Sequence, residues 1–72
     1  MVMDGTLKAA LLKSIQDAIA EEAAAVTMYQ QLAKDADAIG HVNAWATLRQ
    51  IAREEYYHKV ELTAIAEKLR SS

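Results

Sequence analysis

In a chain of 72 residues with no proline, glycine occurs only at Gly5 and Gly40, which leaves one interior place to turn. A sandwich or barrel needs several such breaks, so a single one near the middle points to two long segments. Hydrophobic residues make up 53% of the chain, much of it alanine, and Phe is absent. Alanine favours helix without filling much volume. The fold class is therefore all-α, in one domain spanning 1–72. Asp4 and Thr6 are good N-cap types ahead of Leu7, and Gly40 suits the residue just past a helix end. These signals predict helix 1 over about 6–38, a hinge near 39–41 and helix 2 over about 42–70.

So short a hinge forces an antiparallel hairpin of helices about 45 Å long. On helix 1, Leu11, Ile15, Ala18, Glu22, Ala25, Tyr29, Leu32, Ala36 and Ile39 recur by fours and threes, the spacing of a bundle seam. Leu12, Ile19, Val26 and Ala33 form a second seam beside it. Helix 2 shows the same alternation through His41, Trp45, Leu48, Ile51 or Ala52, Glu55, His58, Leu62, Ile65 and Leu69. A chain below about 70 to 80 residues rarely stabilises itself by core packing alone. With no cysteine, disulfides and thiolate-held clusters are excluded. The expectation is a four-helix bundle completed by homodimerisation.

The net charge of −2 comes from 10 acidic and 8 basic residues scattered along both halves, so no basic stripe is visible and no nucleic-acid partner is expected. The apolar runs are far shorter than the roughly 20 residues of a membrane span, and the start lacks a secretory pattern. No membrane partner is expected, and the anticipated setting is cytoplasmic.

Three polar residues interrupt the seams at mid-helix. Glu22 lies 18 positions before Gly40, and Glu55 and His58 lie 15 and 18 after it, so folding at the hinge brings all three to about the same height. Glu-x-x-His puts its two side chains one turn apart on one face. A carboxylate in an apolar seam neutralises, finds a cation or binds a metal. Two hairpins would pool four carboxylates and two imidazoles, the di-iron carboxylate inventory of ferritin-like bundles. Such ligands suit iron or manganese, with zinc possible on ligand type.

The stretch Ala20-Glu21-Glu22-Ala23-Ala24-Ala25-Val26-Thr27-Met28-Tyr29, followed by Ile51-Ala52-Arg53-Glu54-Glu55-Tyr56-Tyr57-His58, resembles the ferritin and rubrerythrin superfamily. A single hairpin is most similar to the encapsulated ferritins. The resemblance implies a ferroxidase that oxidises Fe(II) at a di-iron centre across a dimer interface, for iron storage or detoxification. It makes Glu22 the helix 1 ligand, Glu55 the bridging ligand and His58 the terminal nitrogen ligand, with Tyr29 beside them. It implies assembly into a ring-like homo-oligomer and an encapsulin shell as partner. The chain departs from that pattern at Ala24, where a further acidic residue would stand, and no shell-targeting tail follows Leu69.

The alternative is a non-catalytic helical dimerisation module whose buried Glu and His fix register. A di-metal oxygenase ranks last. Glu21, Glu54 and Glu61 read as solvated or supporting, although a one-residue error in helix phase would exchange Glu21 with Glu22 and Glu54 with Glu55. His41 reads as a cap or loop residue, and Trp45, Tyr56 and Tyr57 as core and interface aromatics.

Overall fold

Gly40 has φ of 75°, a left-handed conformation that glycine adopts without a Cβ penalty. His41 N–H donates to the Ala36 carbonyl (2.9 Å) and Gly40 N–H to that of Asp37 (2.9 Å), the paired bonds of a Schellman C-cap. His41 then starts the next helix: its Nδ1 accepts from Ala44 N–H at 3.1 Å, and its carbonyl accepts from Trp45 N–H at 3.0 Å. One residue pair thus closes one helix and caps the other. The computed structural model describes residues 5–72 and contains α1 (Gly5–Ala38) and α2 (Val42–Arg70). The elements match the expected hairpin. Thr6 lies inside α1 rather than capping it, and Asp4 falls outside the described residues.

The helix phase differs from expectation. Along α1 the row withdrawn from solvent is Leu12, Ile15, Ile19, Glu22, Val26, Tyr29, Ala33 and Ala36; α2 answers with Trp45, Leu48, Ala52, Glu55, Lys59, Leu62, Ala66 and Leu69. Both rows keep the alternation of threes and fours. The α1 row takes every member of the second expected seam and alternate members of the first, Ile15, Glu22, Tyr29 and Ala36. In α2 the predicted seam residues His58 and Ile65 sit one position off the row, with Lys59 and Ala66 in their place. The reason is size. The only buried apolar residues among those described are Ala33, Ala36, Ala52 and Ala66, and these small side chains let the backbones approach where Ile65 or His58 would hold them apart.

Cavities identify the two flanks of this row. Gln30 of α1 shares one side with Arg49, Arg53 and Tyr56 of α2, whereas His58 and Ile65 share the other with Glu22. Seven residues are about two helical turns, so the His58 flank also carries Leu11, Ala18, Ala25 and Leu32 from α1 and Ile51 from α2. Leu11 is 46% exposed, Leu32 40% and Ile65 47%.

The hairpin is a rod of 58 × 14 × 14 Å with a radius of gyration of 16.7 Å, against about 11 Å for a compact domain of this length. Its accessible surface is 5413 Å² for 7.9 kDa, where a compact monomer would expose about 4,400 Å². The excess is close to the roughly 800 Å² that each partner covers in a standard interface. Among the described residues, no helix is long and apolar enough to cross a membrane.

Candidate metal centre

Midway along the rod, Glu22 from α1 meets Glu55 and His58 from α2. Each offers one ligand atom, and these atoms lie within 4.8 Å of one another. The pairing follows from the register set at Gly40, and the half-buried members of the two glutamate pairs are Glu22 and Glu55. Glu21 and Glu54 are exposed, and Glu54 accepts a hydrogen bond from Gln50 at 3.3 Å. In each pair it is Glu22 and Glu55 that stand near His58.

The three side chains are unequal in access. Glu22 has 24% of its side chain exposed and His58 has 55%. His58 Nδ1 stands 3.9 Å from Glu22 Oε2, an ion-pair distance but too long for a hydrogen bond. Glu22 Oε2 is fully enclosed and has no hydrogen-bond partner. A buried polar atom left without a partner is costly, and in native proteins such an atom calls for a water or an ion.

The electrostatics follow from two carboxyl groups facing each other. Glu55 pushes the Glu22 carboxyl above its ordinary value, first through the hydrogen bond that a protonated carboxyl can share and also by charge repulsion. Partial burial pushes the same way, while His58 pulls it down. Without a cation, Glu22 thus resists ionisation. With one, all three groups become acceptors aimed at a common point.

Two ligands on opposite sides of one ion, each about 2.1 Å from it, are at most about 4.2 Å apart. The 4.8 Å spread must therefore draw in by roughly half an ångström. A small side-chain rotation supplies that. The donor set of two carboxylates and an imidazole fits a borderline or hard divalent ion, and one chain leaves coordination positions open toward the His58 flank.

That flank has a cavity of about 280 Å³ lined by Glu22, His58, Glu61, Leu62 and Ile65. Glu61, read from the sequence as solvated or supporting, is one turn beyond His58 and borders the same space; its i+3 spacing from His58 was the available signal. Tyr29 is half-buried on the same row as Glu22 but seven residues nearer the hinge, about 10.5 Å along the axis. Its hydroxyl has no hydrogen-bond partner among the described residues. Tyr56 and Tyr57 are exposed on the single chain and lie outside its core, while Trp45 is half-buried under the guanidinium of Arg49. No protein-family model, curated protein or solved structure matches the chain.

Proposed function

We propose that the hairpin is half of a four-helix bundle, completed by a second copy across the His58 flank, and that its Glu22, Glu55 and His58 bind Fe(II) for oxidation. The observation carrying this reading is the convergence of three ligand-type side chains at mid-rod beside an apolar flank, with the enclosed oxygen of Glu22 unpartnered. A second copy doubles the inventory to four carboxylates and two imidazoles, enough for a pair of ions. Two Fe(II) ions bound together can give two electrons to dioxygen, which with two protons leaves as hydrogen peroxide.

The chain's own residues would prepare that chemistry. Glu22 and Glu55 provide the negative charge that draws a cation to mid-rod, and Glu22 releases its proton as the cation arrives. His58, the most exposed of the three in the single chain, faces the second copy and brings its imidazole to the shared site. Tyr29 acts as a neighbour on the same row and not as a ligand. Assembly of dimers into a ring, a cytoplasmic setting and an encapsulin shell belong to this reading and depend on the dimer.

Aerobic addition of Fe(II) should generate ferric absorbance faster than buffer alone, and Glu22→Ala or His58→Ala should remove the excess. Wild-type kinetics no faster than buffer would sink the enzymatic claim. The raised pKa of Glu22 favours one other reading, a metal-free dimerisation module in which Glu22 and Glu55 share a proton. Metal analysis separates the two. Protein purified without chelator would then carry no metal, and Fe(II), Mn(II) and Zn(II) would leave its melting temperature unchanged.

A further inference from the structure

We propose that the opposite flank of the hairpin is a binding trough for a dianionic phosphate group, held by Arg49 and Arg53 with Lys34 and Gln30 beside them. This site shares no residue with the Glu22, Glu55 and His58 group and does not depend on metal binding.

Arg49 and Arg53 are one turn apart on α2 and line the same cavity of about 250 Å³ with Gln30 and Tyr56. Lys34 reaches an adjoining cavity of about 400 Å³ from α1, together with Trp45 and again Gln30 and Arg49. The two spaces share Gln30 and Arg49, so they form one trough crossing both helices. Its floor is partly apolar, with Val26 and Ala52 beneath the cations, which strengthens any charge pairing made above it.

The cations are unpaired. Among the described residues, no carboxylate forms an ion pair with Arg49, Arg53 or Lys34. Arg49 instead lies over the Trp45 ring at 5.0 Å from its centroid. Like charges one turn apart on a helix repel, so a pair of arginines beside a lysine, none of them in an ion pair, is unexpected in a chain of net charge −2. An anion removes that conflict.

The donor arrangement selects the kind of anion. Two guanidinium forks, an ammonium and an amide line the trough from both helices, so N–H donors border it on more than one side. A carboxylate offers two oxygens in one plane. A tetrahedral phosphate offers three acceptor oxygens that can meet donors from different sides, and arginine forks match it bidentately. The ring of Trp45 and that of Tyr56 would border any flat body carrying the phosphate.

Trp45 is the sole tryptophan, and Arg49 stacks on it, so its fluorescence reports on the trough. Chelator-treated full-length chain should be titrated with inorganic phosphate and with phenyl phosphate, using sodium chloride at matched ionic strength as reference. The expected result is a saturable change with phosphate that Arg49→Gln and Arg53→Gln each weaken by at least about tenfold, and that Lys68→Gln leaves alone. A response to both ligands assigns the site to the bare oxyanion; a response to phenyl phosphate alone assigns it to a phosphate carried on an aromatic body. Either supports the proposal. No saturable response to either ligand, or the same response to chloride, would overturn it. So would arginine variants that change the mass of the assembly and not the phosphate response, because the cations would then be pairing with acids of another copy. Both arginines are exposed, and circular dichroism of each variant checks that the fold is intact.

Discussion

The two flanks of the hairpin are built from the same two helices and have opposite chemistry. On one side Leu11, Ala18, Ala25, Leu32, Ile51 and Ile65 make an apolar strip, interrupted at its middle by His58, with Glu22 and Glu55 on the packed row beside it. On the other, Gln30, Lys34, Arg49, Arg53 and Tyr56 make a cationic trough. Steps of three and four along each helix sort the residues this way, since positions seven apart return to the same flank. The apolar strip has the character of a surface to be covered, and the trough that of one left to solvent and solutes. Acids in the trough would have been unremarkable. Their placement on the packed row beside the strip, where burial penalises charge, is what marks it as a site.

The sharpest way to break this contrast is to put the same charge on each side. Leu32→Glu or Ile65→Glu should raise the dissociation constant of the proposed homodimer at least about 100-fold, roughly 3 kcal/mol, by placing an unpaired carboxylate in the proposed contact. Gln30→Glu on the trough side should leave the dimer intact. Sedimentation equilibrium reads both. If Gln30→Glu dissociates the assembly and Leu32→Glu does not, the roles of the flanks are reversed.

A smaller effect sharpens the role of the acids beside the strip. The folded-state pKa of Glu22 is raised above the ordinary 4.5, so its contribution to stability is fully present below that value and is lost as pH rises through the raised one. In metal-free protein, Glu22→Gln should therefore melt increasingly above wild type as the pH is raised from about 4.5 toward neutrality. Adding Mn(II) at neutral pH should reverse the order, because ionised Glu22 is the better ligand and the amide is a poor one. Melting curves that run parallel at all pH values would mean that Glu22 does not face Glu55.

How much of this was legible beforehand depended on the residue. Gly40 marked the hinge because no other interior residue could take a left-handed turn so easily, and equal spacing about it brought Glu22, Glu55 and His58 to one height. The helix phase was harder to read. Adjacent pairs such as Ile51 and Ala52, or Ile65 and Ala66, both look apolar, and intuition favours the larger residue. The structure buries the alanines, because close approach of the helices needs small side chains, and leaves Ile51 half-buried and Ile65 exposed. The trough left no trace along the chain. Lys34 is 15 positions from Arg49, and only folding at Gly40 puts them together, so charges that look scattered in sequence become segregated across the rod.

The mildest expected change tests whether the trough is open. An exposed cation–π contact is worth about 0.5 to 1 kcal/mol, so Arg49→Met, which keeps most of the apolar stem, should lower stability to urea by about half a kcal/mol and alter Trp45 emission. That is far below the effect of a charge in the strip, and the gap between them measures how differently the flanks are used. A loss of about 3 kcal/mol at Arg49 would have a different meaning: removing one partner of a desolvated charge pair costs that much, whereas removing a solvated cation does not. Arg49 would then be covered by another copy, and the trough would be a second interface instead of a place for a small anion.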